Sequence, residues 1–488
     1  MPYRDFRDYL TCLEKAGLLK WVEAEVEVDW ELSCVARAVF RGLPSEKRFA
    51  IGFRKIRGFD SPVVVGAIGA SKEVQALAME CSPDVPSIHG KWSQAQARPI
   101  APIMVETAPC KEVVLKGKDI DLHKFPIPVW TPEKDAGAFL QPVWISKDPE
   151  TKVRNVGMYR CQIKARDKTG VYYSHGEKHG AFIQGKYDRL NAKHEAAAVI
   201  GCDPSVYMGG VTKLPFNVDE LGVAGGIRCQ PLELVKCETI DMEVPASAEM
   251  VIEGEFLPNE VEPEGPFGEW TGYMASAPFG MPIFHVKCIT HRRNPIILGV
   301  LSQMPPSESS GVRQALSEGT LWKHLTQDLK LPGIVDVHMP ESGGAVAWLW
   351  ISINKLYVGQ VQQIASASIG CLGGTWSKWI VIVDDDVDIR DPFAREWALG
   401  FRVRPEKDIH FTPVTSALLM DPSAAPDEAF PVGERTGAKV IIDATKKWVY
   451  PQIALPPRKC LEEVIKRWPQ YGLPEIDSSW VFRGVPED

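Results

Sequence analysis

Apolar residues at Phe6, Leu10, Leu13 and Leu18 recur at near-helical spacing, with Gly17 close to the end of the run, so Tyr3 to Leu19 is read as a helix. Val22 to Val28 alternates apolar residues with glutamate and predicts a strand with one wet face. Trp30 to Phe40 reads as helical, and Ser61 to Ala67 as a short apolar strand with a glycine near its end. Together they predict a mixed α/β unit running to about Ala108.

From Cys110 to about Val300 the texture changes. Short β-rich runs (Lys111 to Leu115, Val153 to Ala165, Val235 to Val244, Met250 to Phe256, Ile283 to Ile289, Pro295 to Val300) alternate with glycine and proline, which predicts a barrel or sandwich core. One helix, Lys186 to Ala198, is expected to interrupt it, and Pro305-Pro306 marks a boundary. Beyond it the pattern predicts a helix around Gly311 to Leu329, a strand and helix from Ala345 to Ala367, an apolar strand Trp379 to Val383 and a helix near Pro392 to Leu399. That alternation implies a second α/β layer with parallel pairing. Lys459 to Tyr471 reads as an amphipathic helix able to dock on a partner subunit.

Composition narrows the class. Of 488 residues, 45% are hydrophobic and 24% charged, ordinary for a folded globular protein. A formal charge of −8 offers no general attraction to nucleic acid or anionic membrane, although a local basic pocket can still hold an anionic substrate. Eleven cysteines are scattered without a Cys-x-x-Cys pair, which fits neither a disulfide framework nor a zinc site. The amino terminus has no secretory apolar stretch, and no run approaches the ~18 apolar residues of a membrane span. A cytoplasmic location is expected.

Three segments concentrate polar chemistry. In Asn155-Val156-Gly157-Met158-Tyr159-Arg160, residues five apart would face opposite sides of a straight strand, so Asn155 and Arg160 share a cavity only if the chain bends near Gly157 or a loop starts at Asn155. In Ser174-His175-Gly176-Glu177-Lys178-His179-Gly180, the glycines favour a loop over a helix. Taken alone, such histidines are usually exposed, and Glu220 is equally bland. An amide, an imidazole and a carboxylate together would suit Mn²⁺ or Mg²⁺. In Glu262-Pro263-Glu264-Gly265-Pro266-Phe267-Gly268-Glu269-Trp270-Thr271-Gly272-Tyr273, glycine and proline exclude a regular helix, and Glu264 and Glu269 bracket what reads as a tight turn. Two carboxyls entering one pocket would split their pKa values, with Arg160 keeping one ionised. A solvated acidic turn is the plain alternative.

These motifs, with Leu234 to Cys237, Val244 to Glu249, Ser377-Lys378-Trp379, Asp384 to Asp388 and Phe401-Arg402, resemble the UbiD-type decarboxylases in order and spacing over nearly the whole chain. The resemblance implies an α/β (overall α+β) fold. Its parts are an N-terminal α/β domain (1–109), a split β-barrel flavin-binding domain (110–305), a C-terminal α/β domain (306–458) and a helical tail (459–488). It implies prenylated FMN supplied by a separate flavin prenyltransferase, Mn²⁺ or Mg²⁺, K⁺, and a homodimer or higher homo-oligomer. Carried over by position, Asn155, His179 and Glu220 are the metal ligands, with His175 the alternative to His179. Arg160, Glu264 and Glu269 are the catalytic network, and Met158, Lys178, Lys378 and Arg402 complete the cofactor site.

The implied chemistry has a physical rationale. Loss of CO₂ from an sp² carbon leaves a carbanion that side chains cannot stabilise, so a cofactor must hold the electrons; the resemblance implies that the modified flavin does so through a covalent bond to the substrate. The expected substrate is an aromatic, heteroaromatic or α,β-unsaturated acid. The same machinery could run in reverse as a carboxylase subunit, and a non-catalytic flavin-binding assembly subunit is the alternative of another class. No basic stripe supports a nucleic-acid binder.

Overall fold

The computed structural model describes residues 3–173, 179–413, 415–417, 420–424 and 436–482. They form two compact units: one of residues 1–320 with 341–345 and 416–437, the other of 321–340, 346–415 and 438–488.

The first helix of unit one runs Phe6–Lys15, capped by the Asp5 carboxylate, which accepts the Asp8 N–H. It buries Phe6, Tyr9, Leu10 and Leu13, an apolar stripe at the predicted spacing. Gly17, at φ +73, turns the chain straight into a strand, so the strand is Leu19–Val22 and not Val22 to Val28. Val26 contributes only an isolated bridge to Ile56. A four-stranded sheet runs in the order Leu19–Val22, Ala50–Phe53, Val63–Val65, Ile297–Gly299. Its last strand comes from the end of the β-rich stretch, and one apolar core extends from Tyr3 to Leu316.

Around that core curls a nine-stranded antiparallel sheet, in keeping with the expected split barrel. Its spine is a hairpin of Met250–Gly268 and Met274–His291, both far longer than their apolar centres predicted. The register breaks between Glu262 and Glu264 and again before Phe267, where Pro263 and Pro266 have no N–H to give. Glu262 to Gly268 is therefore bent strand. The reversal comes later, where the Glu269 N–H donates to Tyr273 O (3.0 Å) and the Gly272 N–H to Glu269 O (2.9 Å).

The helix expected at Lys186 to Ala198 is corrected to a helix at His179–Arg189 followed by a strand at His194–Ile200. Its alanines favour a helix locally. Pairing on both edges, with Val143–Lys147 and Met250–Phe256, overrides that preference. Val153 to Ala165 and Val235 to Val244 each divide into two strands. Two helices, Pro204–Val211 and Glu220–Arg228, were not anticipated. Glycines lower their local helix propensity but permit close packing: a Cβ at Gly225 would lie 2.5 Å from Ile100 O.

Unit two holds a five-stranded sheet whose centre, Trp348–Ile353, Trp379–Asp384 and Val440–Ala444, is parallel, with antiparallel edges Ile334–His338 and Ile409–Phe411. The tail is helical over Arg458–Arg467, runs into a short 3₁₀ turn, Trp468–Tyr471, and ends its described part in a short helix, Ser478–Val481; the first two bury no residue. Among the described residues no helix is long and apolar enough to cross a membrane.

Candidate active site

Arg160 sits in the two-residue link between the strands Arg154–Met158 and Cys161–Ala165. The pairing runs unbroken through Gly157, opposite Trp144, so the chain leaves the strand at this link and neither at Gly157 nor at Asn155. A Cβ at Gly157 would fall 2.4 Å from the Tyr159 hydroxyl. Arg160 donates from Nε and Nη2 to the two oxygens of Glu264, at 2.9 and 2.6 Å, and from Nη1 to Glu269 Oε1 at 2.5 Å. Its guanidinium lies between the Tyr172 ring at 4.0 Å and the Phe267 ring at 4.9 Å. All three charged residues are buried.

Burial opposes charge on Arg160, but the two carboxylates outweigh it and hold the guanidinium firmly protonated. One cation cannot neutralise two buried acids. Burial accordingly lifts the Glu264 carboxyl above the usual range despite its bonds to Arg160, and repulsion from Glu269 adds to the effect. The arrangement can hold a proton within a chain of short charge-assisted hydrogen bonds.

A second cluster is assembled from three elements. Asn155 lies in the strand Arg154–Met158, opposite Ser146; His179 begins the helix His179–Arg189; Glu220 begins the helix Glu220–Arg228 behind its cap Asp219. They line one small cavity with Asp148, Arg154 and Phe216. Glu220 accepts the Val156 N–H at 2.8 Å through Oε2, and its Oε1 is 4.0 Å from His179 Nδ1. Burial pushes Glu220 up to about 8, offset only in part by backbone N–H donors. Burial, with Lys213, pulls His179 down and favours a neutral imidazole.

A buried carboxylate, a neutral imidazole and an amide oxygen fit a divalent ion. Among the described residues no three histidine, cysteine, aspartate or glutamate side chains gather to hold a metal, so this set reaches three donors only through Asn155. Tyr159, which the sequence reading passed over, ties the set together. Its buried hydroxyl accepts the Gly180 N–H at 3.2 Å and hydrogen-bonds Asn155.

Met158 is half-buried at the strand end, between Asn155 and Arg160 in the chain. His175 and Lys178 lie outside the described residues. Lys378 and Arg402 belong to unit two. Lys378 precedes the strand Trp379–Asp384, its backbone N–H donating to Ala347 O at 3.0 Å. Arg402 is buried and already engaged, donating to Asp386 at 2.7 and 2.8 Å and to Asp384 at 3.2 Å. Arg313 was also passed over. It is half-buried beside Trp270 and near Glu269, and no motif contains it.

Comparison with known proteins matches three family profiles in register: the N-terminal domain (residues 10–87), the Rift-related domain (103–305) and the C-terminal domain (312–444) of 3-octaprenyl-4-hydroxybenzoate carboxy-lyase, named UbiD. An uncharacterised protein of Archaeoglobus fulgidus is 35% identical, over 92% of this chain and 93% of its own. The UbiD-class enzyme HmfF from Pelotomaculum thermopropionicum, solved in complex with prFMN in an evolved dimeric form, is 31% identical with a TM-score of 0.79, covering 93% of this chain and 98% of that one. Vanillic acid decarboxylase of Sedimentibacter hydroxybenzoicus, in closed form, is 28% identical with a TM-score of 0.83, covering 96% and 99%.

Proposed function

This chain belongs to the UbiD family of carboxy-lyases, and from that premise we propose that it reversibly decarboxylates an aromatic, heteroaromatic or α,β-unsaturated acid, with an aromatic acid as its substrate. The observation that carries this reading is the buried Glu264–Arg160–Glu269 chain.

Arg160 has five N–H donors. Three are spent on Glu264 and Glu269 and one points at Ala275 O (3.5 Å), so one on Nη1 remains to orient a substrate carboxylate. The bond from ring or vinyl carbon to carboxylate breaks and CO₂ leaves. Glu269 then gives its proton to the carbon left behind, while Glu264 holds Arg160 in place and shares the proton load. A prenylated FMN, as carried by HmfF and made by a separate flavin prenyltransferase, supplies when bound the electron sink that side chains lack. Asn155, His179 and Glu220 would hold Mn²⁺ or Mg²⁺, with K⁺, in support of cofactor binding; Met158, Lys178, Lys378 and Arg402 would be the further cofactor contacts of this reading. A homodimer or larger homo-oligomer is its assembly.

The test is co-expression with a flavin prenyltransferase, a visible spectrum of the purified protein, and a panel of aromatic and acrylic acids followed by CO₂ release. Retained modified flavin and turnover of an aromatic acid are expected. Protein that retains the flavin yet releases CO₂ from no acid in the panel would overturn the reading.

A further inference from the structure

Arg313 lies in the helix Glu308–Lys323, outside every motif that pointed to the chemistry. Its guanidinium carbon is 4.6 Å from the centre of the Trp270 ring, and Trp270 directly follows Glu269. Its Nη1 donates to Gly344 O at 2.9 Å. Gly344, at φ +66, closes the arrangement from its own side, since a Cβ there would lie 2.5 Å from Trp270 Cε3 and 3.2 Å from Trp270 O. The Trp270 indole thus rests against a cation and against bare backbone.

That clamp bears directly on the proposed proton donor. The Trp270 backbone N–H points at Glu269 Oε2 (3.3 Å), and the backbone of Glu269 closes the reversal onto Gly272 and Tyr273. Fixing Trp270 therefore fixes the carboxyl whose other oxygen meets Arg160. Among the described residues Arg313 has no carboxylate within ion-pair distance. Burial pulls its pKa down to about 10, and only the charge of Glu269 works against that loss. Helix packing alone would not select a cation at such a site, because a neutral side chain would avoid the desolvation cost.

We propose that Arg313 is a positioning residue for proton transfer, holding Trp270 against Gly344 and so presenting Glu269 to the reacting carbon. The proposal rests on the reading of Glu269 as proton donor. A displacement of about 1 Å at a reacting group costs on the order of a hundredfold in rate, so a clamp one residue away can govern turnover without touching substrate.

The test uses the flavin-loaded enzyme and its best acid from the panel. Arg313→Met should lower kcat and solvent deuterium exchange by roughly tenfold to a hundredfold while KM and flavin content stay within about twofold. Arg313→Lys, which keeps the charge and a donor, should recover part of the loss. Gly344→Ala, which displaces Trp270 and leaves Arg313 intact, should reproduce it. An unchanged kcat in Arg313→Met overturns the proposal, as does a raised KM at full kcat, which would make Arg313 a direct substrate contact. If Arg313→Met does not fold, the same split in the Lys and Ala variants decides. An active Glu269→Gln enzyme would remove the parent reading; an inactive one beside a fully active Arg313→Met removes only this inference.

Discussion

Glu269 Oε1 lies 2.5 Å from Arg160 Nη1, although 109 residues separate the two along the chain. Glu264, 104 residues from Arg160, takes the other edge of the same guanidinium. The three close because Arg160 occupies a strand link and both glutamates ride the bent end of one hairpin. With both acids ionised the site would carry one net negative charge, but burial, aided by repulsion from Glu269, lifts the Glu264 carboxyl, so the three groups can hold a proton between them.

Removing the cation should therefore do more than stop catalysis. Arg160→Met strands two carboxylates in a buried site and is expected to cost roughly 3–5 kcal/mol, the range for breaking a buried ion pair. Arg160→Met with Glu264→Gln removes one of the stranded charges and should regain part of that stability while staying inactive. Urea unfolding of the three proteins checks this, and a double variant no more stable than the single would contradict the charge argument.

Glu269→Gln keeps a side chain of nearly the same shape but cannot deliver the proton. Turnover and solvent deuterium exchange into product should both vanish while the flavin spectrum is retained. Undiminished exchange would move the proton donor elsewhere.

Glu220→Gln separates metal binding from folding, because the amide oxygen can still accept the Val156 N–H that Glu220 now takes at 2.8 Å. Mn²⁺ affinity should fall by at least about tenfold, since a charged ligand is lost where even an outer-sphere partner is worth that much. Metal-free protein should melt no lower than wild type, and higher at neutral pH, because the amide removes the cost of burying a carboxyl held at about 8. Chelation of the wild type should likewise release flavin. Unaltered Mn²⁺ binding in Glu220→Gln, measured by calorimetric titration, would exclude this cavity as the metal site.

His194 predicts how stability depends on pH. Its ring is fully buried, stacked on Tyr187 with centroids 4.5 Å apart, and Nδ1 meets Gln184 Oε1 at 2.8 Å. Burial pulls its pKa from the ordinary 6.5 to about 3. The unfolded chain therefore takes up a proton that the folded one refuses, so this contribution is complete above pH 6.5 and is lost as pH falls toward 3. Between pH 7 and pH 4.5 the loss amounts to about 3 kcal/mol. His194→Phe should flatten that part of a plot of stability against pH. A slope identical to wild type would show that His194 is not its source.

Much of the secondary structure was legible locally. The stripe Phe6, Leu10, Leu13 and the apolar run Trp379 to Val383 report energies that depend on near neighbours in the chain, and both formed as read. His194 to Ile200 did not, because strand pairing on both edges outweighs the helix preference of its alanines. The Glu262 to Tyr273 segment was legible as irregular but not as bent strand, since its register belongs to the partner strand Met274–His291.

The sequence by itself determined the family, through motifs whose order and spacing survive as text, and with it the residues worth examining. Only the tertiary structure decided which of them meet. It brings Arg160 between Glu264 and Glu269, gathers Asn155, His179 and Glu220 at one cavity, leaves Arg402 bound to Asp384 and Asp386, and places Arg313 against Trp270. The physical reason is that convergence and charge burial arise from pairing between distant strands and from exclusion of water. Neither has a local signature along the chain.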